Sequence, residues 1–241
     1  MKGRSIMRLF EQISGMIFPP KCIFCQQLLS HDAVLHICTD CYLKLPFLDK
    51  AFMTTTQDGD DKSYCDGAVS IFQYTGMVKE SLIRFKFYNK PSYYRTYARL
   101  IADRLVNTIE IKQFDLVLSV PLHRHKEFSR GYNQAHLIAR ALARELKLPE
   151  RSDLLNRYRY TEAQSLLDKQ KRNQNVKGAF TVTSPKKIEG KSVLLVDDIL
   201  TTGSTLEECG RMLKQAGALK VTAVVVATGR KNQGGLTYAG S

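Results

Sequence analysis

Residues 193–205, VLLVDDILTTGST, place an apolar run directly before two adjacent aspartates and a turn of small residues. Such a run is typical of a buried strand in a parallel sheet, and we predict that this strand ends at residue 196. Ligands of open parallel sheets bind outside the carboxyl ends of the strands, where Asp197 and Asp198 would then lie. Because neighbouring carboxylates repel each other unless cations or hydroxyl groups share the site, the segment predicts a polar ligand.

The turn TTGST leads into a predicted helix. Free N–H groups at a helix start, together with hydroxyl groups and a glycine that lets the backbone approach closely, can hold a phosphate. Ser204 and Glu207 have the spacing of a capping box, which also indicates a helix start. The acids suit ribose hydroxyls and the turn suits a 5'-phosphate, so the segment is typical of a sugar-phosphate site.

A Walker B strand would also end in acidic residues, which makes an ATPase the first alternative. The closest candidate for its phosphate loop is PKKIEGKS at 185–192, where Pro185 stands in place of the first glycine. That segment precedes a predicted strand, whereas a phosphate loop must precede a helix. The sequence therefore disfavours an ATPase. A plain strand-to-helix turn is the second alternative, but it does not account for two crowded carboxylates.

Strand and helix patterns alternate between residues 64 and 229. Asn133 is placed to open one helix and Gly217 to close another. Apolar rather than alternating strands indicate a sheet that is covered on both faces, so we predict an α/β fold with a parallel sheet flanked by helices. The predicted strands lie at 67–74, 114–122, 191–199 and 219–228, and the predicted helices at 77–87, 93–109, 133–146 and 205–217.

Two Cys-x-x-Cys pairs near the N-terminus predict a small metal module. In a cytosolic chain this spacing indicates zinc, and four thiolates form a closed structural site. His31 or His36 could replace one ligand, and redox activity is the other alternative, although a dithiol catalyst normally needs one pair beside a βαβ unit. Cys65 and Cys209 fit small apolar core residues. The expected ligands are Cys22, Cys25, Cys38 and Cys41.

Composition divides the chain into four segments. We predict an N-terminal helix and zinc module at 1–53, a polar linker at 54–63, the α/β domain at 64–230 and a disordered tail at 231–241. Apolar residues between Ile6 and Ile17 have helical spacing, and this helix could pack on the protein or anchor it to a surface. No apolar run approaches the roughly 18 residues of a membrane span, and we expect a cytoplasmic protein that could associate with the membrane through partners.

Positive charge is concentrated in the α/β domain. The net charge is +13, yet residues 1–65 hold equal numbers of basic and acidic residues, so the excess lies beyond them. The resulting field attracts phosphates, either of nucleic acid or of a small anion, unless it is only a solvated basic surface.

Several motifs together resemble the ComF family of competence-associated proteins related to type I phosphoribosyltransferases. They are IFPPKC, CYLKLP, LIRFKF, VPLHRHKEFSRGYNQAHLIA, RYRYTEAQSLLDKQKRNQNVKGAF and VLLVDDILTTGST, with Ala163 standing where proline is usual. The last motif resembles the signature for phosphoribosyl pyrophosphate. The resemblance implies that Mg²⁺ accompanies this ligand and that HRHKEFSRG is a mobile loop. It also implies ribose binding by Asp197 and Asp198, 5'-phosphate binding by Thr201, Thr202, Gly203, Ser204 and Thr205, and pyrophosphate contact by Val120, Pro121 and Leu122.

The resemblance implies a ComF-like role in DNA uptake during natural transformation, with binding of single-stranded DNA and of phosphoribosyl pyrophosphate. A DNA-uptake helicase or channel protein would then be a partner. Tyr158 and Tyr160 could stack on bases or simply pack. The alternative is an active phosphoribosyltransferase with a nucleobase-like or other small acceptor, although no hood for a base is evident. The cationic candidates for DNA contact are Lys86, Arg124, Lys126, Arg130, Arg157, Arg159 and Arg172.

Overall fold

The computed structural model describes residues 19–48, 52–53, 63–159 and 176–230. Four sequence predictions fall on residues outside these ranges: the N-terminal helix, the linker up to residue 62, the tail at 231–241, and the DNA-contact candidate Arg172 together with Tyr160. Within the described ranges, no helix is long and apolar enough to cross a bilayer.

The centre of the fold is a five-stranded sheet in which the four long strands are parallel. Its order is β1-β2-β7-β6-β3, and the short edge strand β1 runs antiparallel to β2. The long strands are almost continuously buried, as expected for a sheet covered on both faces. The strands are β1 (Phe52–Met53), β2 (Gly67–Gln73), β3 (Leu116–Ser119), β6 (Ser192–Leu200) and β7 (Lys220–Thr228). This arrangement confirms the predicted α/β fold.

Six α-helices connect and cover the strands within the described part of the chain. The Asn133 side chain accepts a hydrogen bond from the His136 N–H at 3.4 Å, which opens one helix as predicted. Gly217 follows another helix with a φ of +87°, a conformation that glycine adopts without strain. The helices are α1 (Thr39–Leu43), α2 (Gly76–Phe87), α3 (Tyr93–Leu105), α4 (Arg124–Arg130), α5 (Gln134–Leu146) and α6 (Ser204–Gln215).

A second sheet is a small antiparallel hairpin of β4 (Leu155–Arg157) and β5 (Phe180–Val182). It was not among the predicted elements, because each strand is only three residues long and such runs carry little periodic signal. The hairpin follows an isolated parallel bridge between Glu150 and Val117 of β3. The chain therefore continues beside the edge of the main sheet.

Alternate residues of β6 enter two separate apolar cores, one on each face of the sheet. Leu194 and Val196 pack with residues of α2, α3 and α5. Val193 and Leu195 pack with residues of α6 and of the hairpin. Since successive side chains of a strand point to opposite faces, the two aspartates that follow are directed into different surroundings.

The four-cysteine segment packs on the first of these two faces rather than standing apart from the sheet. Cys22, Ile23 and Phe24 belong to the same buried core as α2 and α3. The Phe24 ring meets the Tyr97 ring edge-on with centroids 6.3 Å apart. The His36 N–H also donates to the Thr96 hydroxyl at 3.1 Å. The segment is thus part of the helical layer over the sheet.

Candidate functional site

Strand β6 continues through both aspartates to Leu200, so it does not end with the apolar run at residue 196 but follows the longer predicted range 191–199 closely. The backbone ladder with β7 runs to the pairing of Leu200 with Thr228, and the Thr228 hydroxyl donates to the Leu200 carbonyl at 3.1 Å. These bonds hold the acidic residues in extended conformation beyond the apolar run. The carboxylates still lie near the carboxyl ends of the parallel strands, where ligands of such sheets bind.

Asp198 is buried and paired with a cation from another element. Its Oδ1 lies 2.9 Å from the Nζ of Lys86, which comes from the last turn of α2. The charge of Asp198 also acts on Arg130, where it opposes the lowering of the pKa that burial causes. A carboxylate that is only 8% exposed requires such compensation. Two cations predicted to contact DNA thus face the acid pair.

Asp197 has different neighbours and a strongly perturbed acidity. Burial of its carboxyl and the adjacent charge of Asp198 raise its pKa to about 7, while Lys86 and Arg157 act in the opposite direction. Its Oδ1 accepts a hydrogen bond from the Asp198 N–H at 2.8 Å, which favours the charged form. Near neutral pH, Asp197 is therefore present in both its protonated and its charged form.

The turn after β6 has a glycine with a positive φ at the start of α6. Gly203 is the N-cap residue of α6, and its φ of +87° is one that residues with a side chain adopt only with strain. The hydroxyls of Thr202 and Ser204 lie 2.8 Å apart. Small side chains and a helix start thus occur together at the end of the strand that carries the acids.

Arg230 stabilises this turn and was missed by the sequence analysis. Its Nε donates to the Thr201 carbonyl at 3.0 Å, and its Nη2 donates to the Thr202 carbonyl at 2.6 Å. Arg230 follows β7, which lies beside β6, so the sheet brings it to the turn. No local pattern in the sequence predicts this contact, because it depends on the order of the strands.

The predicted capping box does not form, since Gly203 rather than Ser204 is the N-cap residue. Glu207 instead turns away from the helix start. Its carboxylate accepts hydrogen bonds from the Ser63 hydroxyl at 2.8 Å and from the Tyr64 N–H at 2.7 Å. Glu207 therefore connects α6 to the chain that enters β2.

The predicted pyrophosphate loop follows β3, next to β6 in the sheet. The Val120 N–H donates to the Val196 carbonyl at 2.8 Å, and the Val120 carbonyl accepts from Asn133 Nδ2 at 3.0 Å. Pro121 and Leu122 are partly exposed. They border a cavity of about 750 Å³ whose other lining residues include His123, His136, Asn156, Arg157 and Tyr158.

The basic segment after this loop is a helix, α4, rather than a loop as predicted. His123 caps it by accepting from the His125 N–H at 3.3 Å, and Gly131 ends it with a φ of +84°. The two histidine rings stack with centroids 5.5 Å apart. Capping at both ends explains why this polar segment is helical.

The candidates for DNA contact divide into two groups in the structure, and Arg172 lies outside the described residues. Lys86, Arg130 and Arg157 are partly buried and act on the acid pair. Arg124, Lys126 and Arg159 lie in or beside α4 and the hairpin, and Arg124 and Arg159 are exposed. Lys126 is partly buried, and burial lowers the pKa of its ammonium group.

The sulfur atoms of Cys22, Cys25, Cys38 and Cys41 lie within 4.8 Å of one another. Cys25 Sγ and Cys38 Sγ are 3.7 Å apart, close to the roughly 3.8 Å that a tetrahedral shell with Zn–S bonds of about 2.3 Å requires. Neither His31 nor His36 belongs to the cluster. The four thiols can therefore hold a metal ion without a histidine ligand.

Asp197→Asn removes the titrating group but keeps an oxygen that can accept from the Asp198 N–H. The pKa of Asp197 is about 7 in the folded protein, against an ordinary value of 3.8. Proton binding to this carboxyl therefore stabilises the folded state fully below about pH 4, and this contribution is lost as the pH rises to about 7. We expect Asp197→Asn to exceed the wild type in free energy of unfolding by a few kcal/mol above about pH 7, and by less near about pH 5.

Urea unfolding at several pH values measures this difference. Glu189→Gln, which neutralises an exposed acid, is the control and should track the wild type. If the difference in free energy of unfolding between Asp197→Asn and the wild type stays constant with pH, the raised pKa of Asp197 is contradicted.

Comparison with known proteins shows the family to which the chain belongs. Residues 133–237 match the phosphoribosyl transferase domain family, in agreement with the observed sheet flanked by helices. "DNA utilization protein YhgH" of Escherichia coli strain K12 is 30% identical over 156 residues, covering 64% of this chain and 68% of that protein. Among solved structures, the phosphoribosylpyrophosphate amidotransferase of B. subtilis aligns over 59% of this chain and 30% of its own, with 19% identity and a TM-score of 0.39.

"Competence protein F" of Haemophilus influenzae is 31% identical over 219 residues, which cover 83% of this chain and 93% of that protein. The matched share of the chain is larger than the α/β domain alone. On this ground the chain belongs to the ComF family, whose fold is that of the type I phosphoribosyltransferases.

Proposed function

We propose that this chain assists DNA uptake, binding phosphoribosyl pyrophosphate at the acid pair and single-stranded DNA on the nearby basic surface. The observation that carries the proposal is the pair Asp197 and Asp198 at the end of β6, compensated by Lys86 and followed by a turn that Arg230 stabilises. The names of the Haemophilus relative, a competence protein, and of the Escherichia relative, a DNA utilization protein, favour the same setting.

In this proposal the two carboxylates accept hydrogen bonds from the ribose hydroxyls. The 5'-phosphate occupies the turn from Thr201 to Thr205, where the helix start of α6 favours an anion. The pyrophosphate group contacts Val120, Pro121 and Leu122. In the described residues, only the cysteine cluster brings three or more metal-ligating side chains together, so we propose that Mg²⁺ enters with the pyrophosphate.

Isothermal titration calorimetry with phosphoribosyl pyrophosphate and Mg²⁺ tests this site. We expect the double variant Asp197→Asn with Asp198→Asn to bind at least roughly 100-fold more weakly, because two charge-assisted hydrogen bonds are lost. Asp103→Asn with Glu145→Gln is the matched control, since it removes two exposed acids on α3 and α5. Equal heats from the wild type and the Asp197 and Asp198 double variant would refute the proposal.

An active phosphoribosyltransferase is the second candidate, and the domain match over residues 133–237 favours it. In such an enzyme, pyrophosphate leaves C1 of the ribose as a bond to the acceptor forms, so positioning and charge stabilisation supply most of the catalysis. Asp197 lies in a setting that would let it move a proton near neutral pH. Release of pyrophosphate in the presence of a panel of bases distinguishes a transferase from a protein that only binds.

The proposed DNA surface comprises Arg124, Lys126 and Arg159 together with exposed aromatic side chains. Phe128 on α4 is 93% exposed and Tyr158 after β4 is 63% exposed. Unpaired bases stack on such rings without sequence preference, while cations neutralise the phosphates. Mixed cationic and aromatic character near the cavity therefore favours single-stranded over duplex DNA.

Arg124→Gln with Arg159→Gln should weaken binding of single-stranded DNA and make the slope of log affinity against log salt shallower, by about 0.7 for each lost phosphate contact. Fluorescence anisotropy over a salt series measures both quantities. Lys186→Gln with Lys187→Gln removes the same charge before the amino end of β6 and serves as the control. A control that changes the slope as much as the test variant would reject this surface.

We propose that the metal of the four-cysteine cluster is zinc and that its role is structural, because four thiolates leave no open coordination position. Metal analysis of purified protein should give about one zinc per chain, and Cys25→Ser should lose it. Cys65→Ser, outside the cluster, is the control and should retain the metal. Protein that folds fully without zinc would contradict this role.

The segment boundaries 1–53, 54–63, 64–230 and 231–241 remain our proposal for the organisation of the chain. We also propose that the protein acts on the cytoplasmic side of the membrane, where a DNA-uptake helicase or channel protein would deliver the strand. The concentration of positive charge beyond residue 65 suits the receipt of a single strand from such a partner.

A further inference from the structure

The last turn of α2 contacts both the cysteine cluster and the acid pair. Arg84 reaches the segment between Cys22 and Cys25, and Lys86, two residues later, pairs with Asp198. Phe85 between them is fully buried and packs against the rings of Tyr97 and Tyr132, with centroids 5.8 and 5.9 Å away. A single rigid turn therefore connects the two sites.

On the side of the cysteines, one guanidinium holds two backbone carbonyls. Arg84 Nη2 donates to the Ile23 carbonyl at 3.0 Å and to the Phe24 carbonyl at 2.7 Å. These two residues form the inner part of the first Cys-x-x-Cys turn, whose geometry must match the metal. The Arg84 Nε is buried without a hydrogen-bond partner in the described residues, so the group has given up water to make these contacts.

On the side of the ligand site, the position of Lys86 determines how well Asp198 is compensated. The side chains of Lys86 and Asp198 are only 21% and 11% exposed, and their charged atoms are 2.9 Å apart. Attraction between poorly solvated charges is strong at this distance and weakens when the partners move apart. A small shift of the last turn of α2 therefore changes how strongly Lys86 compensates the charge of the acid pair.

We propose that the four-cysteine module positions Lys86 for the ligand, with Arg84 as the positioning residue and Lys86 as a ligand-site cation. The module then belongs to the binding site although none of its side chains reaches it. The part that concerns phosphoribosyl pyrophosphate rests on the proposed function. The part that concerns the charge of the acid pair holds in the ligand-free protein and can be measured there.

The first readout is the titration of the Asp197 carboxyl, followed by NMR of ¹³C-labelled aspartate in ligand-free protein. The charged groups that face Asp197 are Asp198 of β6, Lys86 of α2 and Arg157 of β4, and its charge also acts on the Cys209 thiol of α6. Lys86→Met should move the midpoint to higher pH, because a compensating cation is removed. Arg84→Met should move it in the same direction by a smaller amount.

The second readout is affinity for phosphoribosyl pyrophosphate by calorimetry. Lys86→Met should weaken binding roughly 10- to 100-fold, as for loss of a charged partner, and Arg84→Met roughly fivefold or more. In the Lys86→Met background, Arg84→Met should have almost no further effect, because Arg84 acts through Lys86. Additive effects in this double-mutant cycle would overturn the proposal.

Two controls separate positioning from general damage. Glu80→Gln removes the ion pair that Arg84 makes within α2 at 3.8 Å but leaves the contacts to the carbonyls, and it should behave as the wild type. Lys79→Met removes an exposed cation from the same helix and should do the same. If Arg84→Met folds poorly, Arg84→Lys, which cannot present the same planar group of donors, replaces it and should show the same direction of change.

The outcomes separate this inference from the proposed function. If the wild type fails to bind the ligand but the Asp197 midpoint is shifted in both variants, the proposal of phosphoribosyl pyrophosphate as ligand is rejected and the positioning role of Arg84 is retained. If Arg84→Met retains its zinc and has the Asp197 midpoint and the ligand affinity of the wild type, the positioning role of Arg84 is rejected, whatever the wild type binds.

Discussion

The structure depends on compensation of two carboxylates that a buried strand carries to its end. The ladder between β6 and β7 keeps Asp197 and Asp198 in extended conformation, so the strand cannot release them into a solvated loop. Asp198 contacts Lys86 directly, whereas burial and the charge of Asp198 raise the pKa of Asp197 to about 7, so that a proton partly neutralises Asp197 near neutral pH. The hydroxyl groups of a ligand could donate hydrogen bonds to these carboxylates, whereas its phosphates would need cations such as Lys86.

The N-terminal module adds to the core that supports this site. Phe24 packs on Tyr97 of α3 and Ile23 accepts from Arg84 of α2, so the two helices are held between the cysteines and the sheet. Small metal modules of this kind usually lack enough apolar surface to fold without their ion. Here the shared core gives the module a second source of stability and gives the helices a fixed outer surface.

Sequence periodicity predicted the regular elements well. The bounds of β2 and β7 differ from the prediction by one residue, because continuous apolar runs flanked by polar residues leave little freedom. The partners of Glu207 and the contact of Arg230 with Thr201 could not be predicted. These features depend on which strands lie side by side, and local patterns do not encode that order. The pairing of Lys86 with Asp198 could not be predicted from the sequence for the same reason.

Arg230 has a further meaning for the turn after β6. By drawing the carbonyl groups of Thr201 and Thr202 toward itself, the guanidinium fixes the orientation of the intervening peptide planes. The entropic cost of ordering this turn is then incurred during folding. Binding of a phosphate would therefore not have to include that cost. A chain that ended at Gly229 would keep every strand of the sheet and yet lose the contacts that order the turn after β6.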